Sequence, residues 1–160
     1  MQHSIFDLDG TVIDSSHRYT ALPNGDIDLA AWIRNSNPEN TAKDSLLPSI
    51  RTMRADYRAG CTVIVCTSRV LSDHDYEFFM EKDIPYHVML DRPLGCTLPC
   101  ALLKEFQLRL YAHNKGISWV RFCETSMFFE DNQTVIDKMK DIGMPIIEAP
   151  LWNKQLAMVR

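Results

Sequence analysis

No apolar run in this sequence approaches the ~18 residues that a membrane-spanning helix needs, so no bilayer segment is expected. The chain does not begin with a basic stretch ahead of an apolar one, so no secretory leader is expected and a cytoplasmic location is. Cysteine is sparse and unpatterned. The five residues, at 61, 66, 96, 100 and 123, make an odd number without the spacing of a zinc site, and reduced thiols are the reading that follows. Positive charge is not in excess: 17 Lys and Arg against 21 Asp and Glu leave a net −4, which argues against a dedicated duplex-binding protein without excluding a locally positive site. Internal repeats and low-complexity tracts are also missing, and no protein partner is evident. What is present is a 46% hydrophobic chain of 160 residues, enough for one core and too short for two full-sized domains; residues 1–160 are read as a single unit.

Short apolar runs bounded by turn residues recur at 4–8, 62–67, 85–90, 127–129 and 145–149, each with the length of a buried strand. Between them lie stretches with helical spacing at 47–59, 73–82, 99–112 and 134–142. Strands alternating with helices predict an α/β fold with a parallel sheet covered on both faces. Residues 119–126 suit either an extra strand or an irregular connection. Residues 14–47 differ in character: they are rich in Ser, Asn, Asp, Pro and Gly, with only 29–33 resembling a short helix. This segment reads as a small cap-like insertion after the first strand, a lid or specificity element.

The chemistry concentrates in Asp7-Leu8-Asp9-Gly10-Thr11, directly after the first apolar run. Two carboxylates at i and i+2 on a strand end point the same way, and the glycine permits a sharp turn beneath them. A carboxylate oxygen and a main-chain carbonyl there suit a hard divalent cation such as Mg²⁺. An EF-hand calcium loop is a poor alternative, because Val12-Ile13 interrupts the alternating oxygen ligands. Arg69 follows a strand end and suits either a bidentate clamp on phosphate or a pair with a nearby acid. The face of Arg51, Arg54 and Arg58 suits either a nucleic-acid backbone or solvent. Trp32 suits either stacking on a base or packing of the insertion. By segment, residues 41–70 carry five Lys/Arg against two Asp/Glu and residues 121–150 carry three against six, so a positive phosphate-facing segment is expected beside an acidic metal-binding one.

With Asp7-Leu8-Asp9-Gly10-Thr11 in place, the sequence resembles the haloacid dehalogenase superfamily, whose first motif has this form. The later motifs follow in order: Thr67 ending a strand, Lys104 in a helical stretch, and Glu130-Asp131 after Met127-Phe128-Phe129. The resemblance implies a Rossmann-like fold with a minimal cap and a Mg²⁺-dependent phosphatase reaction. Asp7 would be the nucleophile forming an aspartyl-phosphate and Asp9 the general acid and base. Thr67 and Lys104 would hold the phosphoryl group, with Gly10, Thr11 and Ser68 beside it. The metal would sit among Asp7, Asp9 and Asp131, with Glu130 as an outer partner, although Asp131 also suits a helix N-cap. A nearer resemblance is to the phosphatase domain of phage-type polynucleotide kinase-phosphatases, carried by Ser16-His17-Arg18, Trp32, Lys43-Asp44 and Pro48. It implies that His17 and Arg18 meet the substrate, a nucleic-acid 3′-phosphate end. No Gly-x-x-x-x-Gly-Lys-Ser/Thr is present, so kinase activity is not expected.

Two other readings stand beside this one. A phosphatase of mononucleotides or other small phosphate esters, of 5′-nucleotidase type, would use the insertion to close over its ligand, and the net charge favours it slightly. A non-catalytic phospho-acceptor module would use similar residues, but in another order: its acceptor Asp comes in mid-chain and its Lys near the end.

Overall fold

The computed structural model describes residues 1–159. Five parallel strands form one sheet: β1 (His3–Phe6), β4 (Thr62–Cys66), β5 (Val88–Leu90), β6 (Ser126–Glu130) and β7 (Ile146–Glu148). Their spatial order is β5-β4-β1-β6-β7, so β1 is central and the chain builds outward to one side and then the other. Such a reversal opens a crevice at the carboxyl ends of the strands, where α/β sheets of this kind bind ligands. All five sequence-predicted strands are present within a few residues of their expected limits.

Strand periodicity divides the core in two. Ile5, Ile64, Cys66 and Phe128 face one side, where they meet α5 (Cys100–Asn114), α6 (Trp119–Glu124) and α7 (Gln133–Asp141). Phe6, Val63, Val65 and Phe129 face the other, against α3 (Ile50–Arg58), α4 (Asp73–Glu81) and Trp152 of α8 (Ala149–Met158). Adjacent residues of one strand therefore serve opposite layers, as the two-residue repeat requires.

The insertion begins and ends on a two-stranded antiparallel ladder, β2 (Ile13–Asp14) with β3 (Ser45–Leu46). Between them lie α1 (Leu29–Asn35), capped by Asp28, and α2 (Pro38–Thr41), capped by Asn37.

Three expectations change. Residues 119–124 form a helix, neither a strand nor an irregular link, started by the Ser118 side chain accepting from Arg121 N–H. Helix α8 was not anticipated, yet its Asn153 is buried and tied inward: it accepts from the Ser49 N–H and hydroxyl at 2.7 Å and donates to Thr11 O at 3.0 Å. The positive segment does not face phosphate. Arg51 donates to the carbonyls of Leu156 and Val159, and Arg54 to those of Lys82 and Asp83, so both close helix ends elsewhere. All five cysteines are free, and no helix among the described residues is long and apolar enough to cross a membrane.

Candidate active site

The ends of β1, β4 and β6, together with α5, bring the four predicted motifs to one place. The backbone leaves the strand after Phe6, turns through Leu8, whose carbonyl accepts from the N–H groups of Thr11, Val12 and Ile13, and passes Gly10 at φ +76°. A Cβ at Gly10 would stand 2.7 Å from Asp131 Cγ, so glycine is what leaves the Asp131 carboxylate its place against this turn. Asp7 and Asp9 lie in this turn, beyond the regular strand, and their carboxylates take different partners.

Asp7 belongs to an acidic cluster. Lys104 Nζ donates to Asp7 Oδ1 at 2.8 Å and to Glu130 Oε2 at 2.6 Å. The remaining Glu130 oxygen accepts the N–H groups of Asp131 and Asn132, both at 3.0 Å, which fixes the loop after β6. Ligand atoms of Asp7, Glu130 and Asp131 lie within 4.8 Å of one another. Three carboxylates thus share one ammonium, and the electrostatics record the deficit. Burial and the Glu130 charge push Asp7 up to about 7 despite Lys104, and burial with Asp7 and Glu130 pushes Asp131 up to about 10. Lys104, buried as it is, is held well above its ordinary value by Asp7 and Glu130. Thr11 is wholly buried, and its hydroxyl lies 3.3 Å from Asp7 Oδ2.

Asp9 belongs to a second network that the sequence left undecided. Arg69 grips it with Nε at 2.9 Å and Nη2 at 2.7 Å, reaches Asp75 with Nη1 at 3.1 Å, and is fully buried. Ser15 also donates to Asp9. Burial alone would raise the Asp9 carboxyl, but Arg69 and Ser15 outweigh it and hold the group below its usual range. Arg18 pairs with Asp44 through Nε at 2.9 Å and Nη2 at 2.6 Å. Both guanidiniums stack on Trp32, with Cζ 4.2 Å (Arg18) and 4.8 Å (Arg69) from the ring centroid.

Three expectations are corrected here. Arg69 is spent on acids inside the protein, so of its two readings acid pairing stands and the phosphate clamp does not; Arg18 is likewise turned to Asp44, with its Nη1 left unpartnered. Trp32 is 1% exposed between them, so the packing reading stands and stacking on a base does not. His17 turns to Asn40 O at 2.9 Å and lies 3.4 Å from Asp44, which makes it part of the insertion's own framework.

Thr67 is buried and accepts from Arg69 N–H at 3.1 Å. Beside it, Ser68 Oγ is buried without a hydrogen-bond partner. It lines a narrow inner cavity of about 10 Å³ together with Asp7, Lys104 and Tyr19. An outer cavity of about 370 Å³ adjoins it, bounded by Asp9, Gly10, Asp131, Asp14, Tyr19 and Leu47. Tyr19, Ser15, Asp26 and Asp75 had gone unnoticed in the sequence. Asp26 Oδ2 accepts the Cys100 N–H that opens α5, at 3.1 Å. Its Oδ1 accepts from Asn132 Nδ2 and Thr134 Oγ1, both at 3.2 Å, so the insertion is latched to the two elements that carry Lys104 and Asp131.

Comparison with known proteins places this arrangement. The family described as bacteriophage T5 5′-deoxynucleotidase matches residues 1–88. The 5′-deoxynucleotidase of Escherichia phage T5 is 32% identical over 84 residues, half of this chain and 34% of that protein; the chain thus spans about a third of the curated relative's length. Among solved structures, a chain of the Pnkp1/Rnl/Hen1 complex superposes with a TM-score of 0.67 at 17% identity, covering 93% of this chain and 45% of that one. A haloacid dehalogenase-like hydrolase from Streptococcus pneumoniae superposes at 0.63 with 10% identity, covering 92% and 84%. At these identities the structural likeness speaks for the fold, and that fold is the haloacid dehalogenase one.

Proposed function

The chain belongs to the bacteriophage T5 5′-deoxynucleotidase family, and from that premise we propose that it is a divalent-cation-dependent phosphomonoesterase acting on nucleoside monophosphates. The observation that carries the reaction type is the acidic cluster around Lys104. Asp7, Glu130 and Asp131 present only oxygen donors, within 4.8 Å of one another, and a single ammonium leaves them short of positive charge. That donor set fits a hard divalent cation such as Mg²⁺, held by Asp7 and Asp131 with the main chain of Asp9, while Glu130 organises the loop from behind. When bound, the cation neutralises charge on the phosphoryl oxygens and brings Asp7 into its ionised form.

The protein's own groups do the rest. Asp7 attacks phosphorus and carries the phosphoryl group as an aspartyl-phosphate. Lys104 draws charge from the nucleophile, and the hydroxyls of Thr67 and Ser68 meet the transferred oxygens; the unpartnered Ser68 Oγ supports this placement. Asp9, ionised and oriented by Arg69, passes the proton of the bound phosphate monoanion to the leaving alcohol in the first step and takes a proton from the attacking water in the second.

The acidic rim favours a monomeric substrate over a nucleic-acid 3′ end. Asp9, Asp14 and Asp131 border the outer cavity, and Ser16 holds the Asp14 carboxyl below its usual range, ionised at neutral pH. Among the described residues, Arg69, Arg92 and Lys104 are engaged with acids or carbonyls and Arg18 is paired with Asp44 and buried, so no exposed row of cations borders the cavity to follow a string of phosphates. The test is phosphate release, with Mg²⁺ and with EDTA, from 2′-deoxynucleoside 5′-monophosphates and from 3′- and 5′-phosphorylated oligonucleotides. We expect turnover of the mononucleotides that is lost in Asp7→Asn and with EDTA. Faster release from oligonucleotide 3′ ends would overturn the substrate, and no release from any compound would overturn the reaction.

A further inference from the structure

Trp32 is shut away between two guanidiniums, yet the insertion places a second aromatic ring against it. Tyr19 meets Trp32 edge-on, with centroids 6.3 Å apart and planes at 61°. Its N–H is bonded to Ser15 O at 2.9 Å, and the preceding Arg18 is anchored on Asp44. The ring is therefore held from behind by a rigid, buried support. In front of it lies open space. Tyr19 borders both the inner cavity that holds Asp7, Lys104 and Ser68 and the outer cavity of about 370 Å³, so it stands where the two meet. An ester with its phosphoryl group at Asp7 and its alcohol in the outer cavity would lie against this residue.

The outer cavity is otherwise polar or backbone. Of the side chains that bound it, only Tyr19 and Leu47 are apolar, and Leu47 is fixed by its N–H on Val12 O at 2.8 Å. A cavity of this volume is within the range that holds small organic ligands, and an aromatic residue beside an aliphatic one suits a planar ring.

Resting on the reading of this site as a nucleoside monophosphate phosphatase, we propose that the Tyr19 ring is a specificity-determining wall against which the nucleoside of the substrate lies. The ring serves through its face and not through its hydroxyl. A substrate with a base gains from it, and an ester of equal charge without a base does not. Stacking of a base on an aromatic side chain corresponds to roughly ten- to a hundredfold in affinity.

The experiment compares dAMP with glycerol phosphate in wild type, Tyr19→Phe, Tyr19→Leu and Tyr19→Ala. Loss of the ring should raise KM for dAMP roughly ten- to a hundredfold, with kcat and the glycerol phosphate constants nearly unchanged, while Tyr19→Phe keeps the wild-type preference. Equal losses on both esters, or loss of preference in Tyr19→Phe, would overturn the proposal. A calorimetric titration of dAMP into Asp7→Asn, with and without Tyr19→Leu, reads the same contact without turnover. If wild type hydrolyses neither ester, the phosphatase reading fails, while dAMP affinity in this titration still decides the role of Tyr19. Unchanged affinity on removal of the ring overturns it.

Discussion

Replacing Gly10 by alanine separates two costs that the structure keeps distinct. The first is conformational: at φ +76° an L-residue with a Cβ sits in the left-handed region, at roughly 1–2 kcal/mol. The second is steric. The added carbon would lie 2.7 Å from Asp131 Cγ, while carbon atoms rest at about 3.5–4.0 Å, so the Asp131 carboxylate must retreat by about 1 Å. The carboxylate is the end of a side chain and can yield, so stability should register mainly the first cost. For a domain of this length, that is a fall in Tm of ~2–8 °C. Activity should register the second, because a 1 Å misplacement of a catalytic group can cost ~100-fold in rate. Gly60 supplies the control: its φ is +88° and nothing lies within 4 Å of a Cβ built there. Gly60→Ala should therefore lower Tm by a similar amount with phosphate release intact. Thermal unfolding and Mg²⁺-dependent phosphate release on the two variants check both parts. Full activity and unchanged Mg²⁺ dependence in Gly10→Ala would refute the assignment of Asp131, and equal loss of activity in the two variants would refute the steric argument.

Arg69→Met should destabilise the protein by ~3–5 kcal/mol in urea unfolding, because it leaves Asp9, Asp44 and Asp75 buried around a missing charge. Arg69→Lys should recover only part of this, since one ammonium cannot grip both Asp9 oxygens and Asp75 together. Without metal, Asp7 and Asp131 are raised in the folded protein, to about 7 and about 10, so the unfolded chain releases protons that the folded one keeps. Their contribution is fully present below about 4 and is lost as pH rises, to about 7 for Asp7 and onward for Asp131; Asp9, held low, acts in the opposite sense and is lost only in acid. The urea midpoint in EDTA should accordingly fall between pH 5 and pH 8, and Mg²⁺ should flatten that fall; a midpoint that rises with pH in EDTA would contradict the charge balance. Asp26→Ala should cost about 1–2 kcal/mol and speed hydrogen exchange in the first turn of α5, where Cys100 N–H loses its acceptor.

The sheet was legible because each strand is a short apolar run closed by turn residues, a signal that lies within a few adjacent positions. The four motifs that meet at the strand ends were legible for the same reason. The roles of Arg18, Arg69 and Trp32 were not. A guanidinium that grips phosphate and one that grips a carboxylate use the same atoms, and the partners here are distant: Asp44 is 26 residues from Arg18, and Asp9 is 60 from Arg69. Tyr19 carried no pattern at all, being a single aromatic in a polar stretch whose exposure depends on how the insertion folds back. Helix α8 escaped because its contributions are scattered single residues: Trp152 on the core, and Asn153 acting on Ser49 and Thr11 more than a hundred residues earlier in the chain.

The ladder of β2 on β3 leads further. Residues 15–44 leave and rejoin the domain through facing pairs, Asp14 with Ser45 and Ile13 with Leu46, so the two ends of the excursion are already together. For a segment closed in this way, doubling its length adds only about 0.6 kcal/mol of closure entropy. The register of β1 against β4 and β6 is therefore independent of the length of this segment, while Ser15 on Asp9, Trp32 beneath Arg69 and Asp26 on Cys100 N–H still tie the segment to the site. Exchanging the remainder of residues 15–44 for a segment of another length, with Ser15, Arg18, Asp26, Trp32 and Asp44 kept, should change the preference among phosphate esters while phosphate release persists.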